Sequence, residues 1–429
     1  MPLHVSEARA ATSPAGRLIL RWIALGAVVG AACGCSSASF LWLLELVTST
    51  RRAHDAWVWA LPIAGLALGA ALERLGPSVE GGTSLILDRA HDGGAQVPVA
   101  MAPVVLLGSV ATHLFGGSAG REGAAVQAGA ALADSIAHRA RATPALRRQL
   151  LVAGVAGGFG SVFGTPLAGA IFGLEIVVRR RLRVRAIVPA LVASLVGDWV
   201  TRRLGITHAA YPAVAPLLLD ARALERWAVF AAVVAAAAAL FLELRGALAR
   251  AGARLLPRLP LRMCAGAIAV VALWRLAGTD AYLGLGVPTI LAAFEPPGPG
   301  AGEWAWKLVF TAVTLGAGFL GGEVTPLFFV GATLGGALAR GLGLPVDLGA
   351  GVGMAALFAA ASGTPLALSM LAVELLGVAA MPHVLLVCIA ATLLMGKRGL
   401  YSGQRIVTHD ARGHDLAVPL RALDQPRGR

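Results

Sequence analysis

The sequence predicts an all-α polytopic membrane protein, built as two repeated halves of broken and tilted helices. Three observations carry that prediction. The 429 residues are 57% hydrophobic and only 14% charged, where a soluble domain carries about 25% charged residues. Apolar stretches close to the roughly 20 residues needed to cross a bilayer recur from residue 18 to residue 396. Short motifs in the first half of the chain return, in the same order, in the second. A transmembrane β-barrel would instead show ~10-residue segments of alternating polarity, which the chain lacks.

Taken in order, residues 1–17 are polar and read as a cytosolic leader. The apolar run from Leu18 is too long for the h-region of a cleaved signal. The first repeat is expected over 18–215, with apolar segments near 18–49, 56–75, 97–116, 120–138, 150–178 and 186–204. The second is expected over 216–405, with segments near 226–248, 262–278, 304–320, 324–341, 348–361 and 364–396. Residues 406–429 form a short polar C-terminal tail. The segment 150–178 is basic at both ends, with Arg147-Arg148 before it and Arg179-Arg180-Arg181 after it. The positive-inside rule places both ends in the cytosol, which one straight helix cannot do. The chain is therefore expected to turn back between Gly157-Gly158 and Pro166. Irregular backbone at that depth needs protein or a watery cavity around it. Proline- and glycine-rich loops follow at 205–219 and 295–300.

The formal charge of +13 comes largely from arginines clustered in short loops, such as 179–185. That is the positive-inside pattern and gives no reason to expect a nucleic-acid partner. The four cysteines all sit in apolar segments, and Cys33-Gly34-Cys35 lacks the spacing of a zinc site. No metal or organic cofactor is suggested. Nor is an enzyme, since the chain has neither a nucleophile elbow nor an H-E-x-x-H helix. Heavy use of Ala, Arg and Gly points to a GC-rich bacterial genome and hence the inner membrane.

The repeat is explicit. Phe163-Gly164-Thr165-Pro166-Leu167-Ala168 returns as Ser362-Gly363-Thr364-Pro365-Leu366-Ala367, an offset of 199, and in each copy a glutamate, Glu175 or Glu374, stands nine residues after the proline. Gly120-Arg121-Glu122-Gly123 with Gly129 aligns with Gly322-Glu323-Val324-Thr325 with Gly331 at an offset of 202. Gly81-Gly82-Thr83-Ser84-Leu85 aligns with Leu285-Gly286-Val287-Pro288-Thr289 at 204. Repeated halves with helices broken at matching positions mark a secondary-transporter architecture. In such folds half-helix N-termini converge near the midplane, each with free N–H donors and about +0.5 charge. Here three candidate N-termini carry little side-chain bulk, at Gly81-Gly82, at 120–123 and at 321–325. Inward-pointing N-termini favour an anionic substrate held by backbone amides. One of them carries Arg121-Glu122 inside an apolar region. A mid-bilayer charge costs roughly 2.5–3.5 kcal/mol, so such residues are usually functional.

At these motifs the chain resembles the CLC family of anion channels and anion/proton antiporters. The resemblance spans residues 18–405 and rests on Gly120-Arg121-Glu122-Gly123, on the stretch 160–175 ending at Glu175, on Gly322-Glu323-Val324-Thr325-Pro326 and on Gly396-Lys397-Arg398-Gly399-Leu400-Tyr401-Ser402. It departs from the chloride members in several places. Gly81-Gly82-Thr83-Ser84-Leu85 stands where they carry G-S-G-I-P, and Ala124 replaces a proline. Ile176 stands where many exchangers carry a second glutamate, and Glu323 and Thr325 stand at apolar positions. Gly120–Gln127 and Gly322–Pro326, read as G-R-E-G-A-A-V-Q and G-E-V-T-P, resemble the branch that exports fluoride against proton entry.

The resemblance implies inverted repeats, a homodimer embedded in lipid, and exchange of fluoride for protons. Chloride/proton exchange or a passive anion channel on the same scaffold are the alternatives. It makes Glu122 the gating and proton-carrying glutamate, with Glu323 and Thr325 in proton coupling. Gly82, Thr83, Gly120, Gly123, Val324 and Tyr401 become the anion-binding positions, Val324 through its N–H. Arg121 is expected to pair elsewhere or turn to water, because neighbours on one helix do not face each other. His113 reads as a hydrogen-bonded packing residue. Glu175 and Glu374 are either helix-end residues buried with a partner or functional acids.

Overall fold

The computed structural model describes residues 14–75, 81–179, 181–215, 217–409 and 415–422. Its first half holds α1 (Pro14–Ala53), α2 (Ala56–Trp59), α3 (Leu61–Leu75), α4 (Gly82–Asp92), α5 (Met101–Leu114), α6 (Glu122–Arg139), α7 (Pro144–Phe163), α8 (Pro166–Ile176) and α9 (Ile187–Arg203). The second half holds α10 (Ala221–Leu255), α11 (Leu259–Ala277), α12 (Val287–Ala292), α13 (Glu303–Gly316), α14 (Val324–Leu342), α15 (Val346–Ser362), α16 (Pro365–Leu376) and α17 (Met381–Leu394). A hairpin of β1 (Arg405–His409) and β2 (Asp415–Pro419) follows. Among the described residues five helices are long and apolar enough to cross a membrane. The remaining apolar helices are shorter, as expected of broken spans.

Three boundaries differ from the sequence reading. The leader expected over 1–17 lies outside the described residues up to residue 13, and residues 14–17 already belong to α1. The run 150–178 does turn back, but Gly157 and Gly158 are helical. The break falls at Gly164, a left-handed C-cap with φ 76°, and Pro166 restarts the chain at the first turn of α8. Gly157 and Gly158 serve packing instead, since a Cβ on Gly158 would overlap the Ala125 carbonyl. The third difference is the described part of the chain after Tyr401, which adds a strand pair to an otherwise helical fold. It docks on α4 through three positions four residues apart, hence on one face. Ser402 Oγ lies 3.1 Å from Ser84 Oγ, Arg421 Nη1 lies 2.8 Å from Asp88 Oδ2, and Arg405 pairs with Asp92.

Each half is centred on a pair of helices in backbone contact. Added Cβ atoms on Gly129 and Gly154 would each meet the other's carbonyl oxygen across α6 and α7, and Gly331 and Gly353 repeat the arrangement across α14 and α15. Overpacking of this kind costs about 1–3 kcal/mol. Gly331→Ala should therefore lower the unfolding midpoint in detergent, while Gly302→Ala, where nothing lies within 4 Å, should not. Equal midpoints for the two variants would contradict the backbone contact.

The halves meet through reciprocal contacts. Gly120 N–H donates to Gly322 O at 2.6 Å and Gly322 N–H donates to Gly120 O at 2.7 Å, an antiparallel bridge between residues equivalent at the 202 offset. Such a bridge between equivalents has a local two-fold axis. The second reciprocal contact gives Glu175 and Glu374 their place. Glu175 accepts from the Leu366 and Ala367 N–H groups at 3.2 and 2.9 Å, and Glu374 accepts from Leu167 and Ala168 at 3.0 and 2.8 Å. Each glutamate thus caps the N-terminus of the other half's helix, satisfying donors that α8 and α16 leave open. Hydrogen bonds to charged groups contribute about 1.5–3 kcal/mol. Glu175, 1% exposed, is expected to lose most of that range in stability when changed to Ala, and the half-buried Glu374 to lose less. Unchanged melting of Glu175→Ala with altered proton transport would make it a functional acid instead.

The third repeat match shifts by one residue. The equivalent left-handed caps are Gly81 (φ 89°) before α4 and Gly286 (φ 75°) before α12, so the offset there is 205 rather than 204.

Candidate functional site

Immediately after the Gly120–Gly322 bridge two helices begin, α6 at Glu122 and α14 at Val324. Their N-termini face each other across the two-fold axis, so two sets of unpaired N–H groups converge. Neither cap residue, Arg121 or Glu323, supplies a side-chain cap. The Glu122 carboxylate fills the gap instead. Its Oε2 accepts from Arg121 N–H at 3.1 Å and Thr325 N–H at 3.2 Å. Its Oε1 accepts from the Thr325 hydroxyl at 2.5 Å and from Arg121 Nε at 3.3 Å. Glu122 is 0% exposed. A carboxylate held by two helix N-termini, a hydroxyl and a guanidinium occupies an anion site.

Glycine makes the room. A Cβ on Gly120 would lie 2.9 Å from Glu122 Oε2, and one on Gly123 would lie 2.9 Å from Gly322 Cα. Val324, 2% exposed, opens α14 and contributes one of its first-turn N–H groups. Arg121 differs from expectation, because it contacts its neighbour Glu122. The rule against adjacent residues facing each other holds within a helix, whereas Arg121 is the cap, with φ −107° and ψ −25°, and the Glu122 side chain folds back over it. Arg121 also lines a cavity of about 580 Å³ together with Arg51, Arg52, Glu45 and Asp280.

Glu323 lies beside this site and does not bond to it. Its Oε1 accepts from Arg245 Nη1 on α10 at 2.7 Å, and its Oε2 lies 3.8 Å from where a Gly123 Cβ would be. Gly82 and Thr83 stand further off, at the start of α4. Gln127, on α6, donates from Nε2 to Thr83 Oγ1 at 3.3 Å and covers Gly82. Tyr401, 7% exposed, lies within electrostatic reach of Glu323, Arg245 and Glu122. Its loop is tied by Leu400 N–H to Ala361 O at 2.8 Å and by Gln404 Nε2 to Ile176 O and Ser362 O, both at 3.0 Å. The Ser84–Ser402 contact brings the Thr83 and Tyr401 segments together. That side joins the arginine-rich 177–185 loop, the one the positive-inside rule leads us to expect in the cytosol, through Arg405 N–H to Val177 O at 3.3 Å. Glu122 thus stands between the cavity at Arg121 and the Thr83 and Tyr401 segments.

His113 is fixed in packing, its ring nitrogens 2.7 Å from Ser109 O and 3.0 Å from Ala119 O. Sequence reasoning missed Arg245 and Gln127. Gln127 lies five residues after Glu122 in the quoted motif, a signal within reach. Arg245 is 78 residues from Glu323, and nothing local announces the pair.

The sequence model described as voltage gated chloride channel matches residues 64–396. A chloride/fluoride channel protein of Pseudomonas syringae pv. tomato is 42% identical over 417 residues, which covers 95% of this chain and 91% of that protein. The crystal structure of a CLC-type fluoride/proton antiporter superposes with a TM-score of 0.88 at 30% identity, covering 92% of this chain and 100% of that one. A slow cyanobacterial Cl−/H+ antiporter superposes with a TM-score of 0.76 at 19% identity, covering 87% and 94%, a likeness of fold alone.

Proposed function

The chain belongs to the voltage-gated chloride channel (CLC) family, and from that premise we propose that it exports fluoride in exchange for protons. The observation that carries this reading is the Glu122 carboxylate lying in an anion site between two helix N-termini. An ionised Glu122 fills the site. A protonated Glu122 loses its charge, weakens its hold on the four donors and yields the site to an anion. The ionised carboxylate and the anion then compete for one position, so entry of the anion is tied to protonation of Glu122, and the two movements are coupled.

Fluoride is favoured by the donor set. A small, strongly hydrated anion needs strong replacement donors, and Thr325 offers a hydroxyl beside its N–H. Likeness to proteins described as a chloride/fluoride channel and as a fluoride/proton antiporter supports the same ion. Glu323, ion-paired with Arg245 and near Tyr401, is placed to exchange protons between Glu122 and the Thr83 and Tyr401 segments. Gly82, Thr83 and Tyr401 receive the anion on the cytosolic side. Family membership extends the proposal to a homodimer in the bacterial inner membrane.

Purified protein in liposomes, with fluoride or chloride gradients and a pH readout, tests the proposal. Fluoride efflux should drive proton influx, and chloride should move much more slowly. Fluoride efflux without protons would make the protein a channel, and equal rates for the two ions would remove the selectivity.

A further inference from the structure

Away from the transport path, a cavity of about 300 Å³ opens between the start of α7, the end of α4 and the 182–186 loop. That is the low end for small-ligand sites. Arg148, Arg183 and Arg185 all line it, and among the described residues no acidic one does. Arg148 and Arg185 both lie close enough to Arg183 to repel it. Asp92 acts on Arg183 but is already paired with Arg405, while Asp134 pairs with Arg147 and Asp88 with Arg421. The Arg183 guanidinium meets His91 through Nη2, and two buried polar atoms at the cavity, Arg183 Nε and Gln149 Oε1, have no hydrogen-bond partner among the described residues. Three cations around one hollow, facing a single carboxylate that is shared with a fourth arginine, favour an added anion.

Two features select the anion. Guanidinium groups match the oxygens of a phosphate, with paired donors. The rim is apolar and open, with Leu182 40%, Val184 61% and Ile187 44% exposed, at the cytosolic start of a membrane-spanning segment. A free ion has no use for that rim, and an acyl chain does. We propose that this cavity binds the phosphate of an anionic phospholipid from the cytosolic leaflet, whichever ion the protein transports.

Native mass spectrometry of the full chain released from mixed phosphatidylglycerol and phosphatidylcholine micelles tests the site. The protein should retain phosphatidylglycerol, and Arg148→Gln/Arg183→Gln/Arg185→Gln should weaken retention about a hundredfold, at about fivefold per arginine near an anionic surface. Ala145→Trp, which fills the cavity and leaves every charge, should also release the lipid. Arg254→Gln/Arg258→Gln, exposed in the last turn of α10 and in the loop that follows it, should retain it. Equal retention of the two lipids by the unaltered protein, or equal loss in the loop control, would overturn the site. If the triple variant does not fold, lipid preference and Ala145→Trp decide. A separate arm adds inorganic phosphate to lipid-free protein. Stabilisation matching that of phosphatidylglycerol would assign the cavity to free phosphate and overturn the lipid.

Discussion

Glu122→Gln in liposomes is expected to carry fluoride with no accompanying proton movement. Glutamine is isosteric and its Oε1 can still accept from Thr325, so the fold around the α6–α14 junction should survive. The amide cannot take up or release a proton at transport pH. It also carries no charge to compete with an anion for the Arg121 and Thr325 donors. Losing a positioned proton-transfer group costs 10²–10⁴-fold, so coupled proton flux should fall by at least about a hundredfold, to the leak of empty vesicles. Fluoride binding should tighten or hold. Proton flux that persists in step with fluoride would take Glu122 out of the coupling mechanism.

Thr325→Val should cost fluoride more than it costs chloride. The substitution keeps the shape and the backbone N–H but deletes the hydroxyl that lies 2.5 Å from Glu122 Oε1. A hydrogen bond to a charged acceptor contributes about 1.5–3 kcal/mol, or roughly ten- to hundredfold in affinity. The comparison belongs in the Glu122→Gln background, where no carboxylate competes for the same donor. Fluoride affinity should drop by that factor, chloride affinity by less, and Thr325→Ser should restore the ratio. An unchanged fluoride-to-chloride ratio would move selectivity away from Thr325.

The site was legible where glycine and charge stand together in an apolar context. Gly120-Arg121-Glu122-Gly123 and its counterpart at 322–325 announce helix starts, close backbone approach and an acid with no place in lipid. The fold was legible through motifs that return in one order at nearly constant offsets, which the sequence alone displays. What the chain did not announce were pairings across long separations: Glu323 with Arg245, and the C-terminal hairpin with Asp88 and Asp92. The cross-capping by Glu175 and Glu374 lies between these cases. Both acids follow their own Thr-Pro-Leu-Ala start by the same interval, so a two-fold axis offers each the other's helix start. Reading them as a symmetric pair would have suggested the swap. Gly157 and Gly158 misled because glycine serves both to break helices and to let them touch.

The central claim is that one site holds either the Glu122 carboxylate or a fluoride ion. Proton uptake on fluoride binding measures it directly, by titration calorimetry of the purified protein in buffers of different ionisation enthalpy. Displacing an ionised carboxylate that then takes up a proton predicts about one proton bound per fluoride, by linkage between the two ligands, and none in Glu122→Gln. Fluoride binding to the unaltered protein with no proton uptake would contradict the claim.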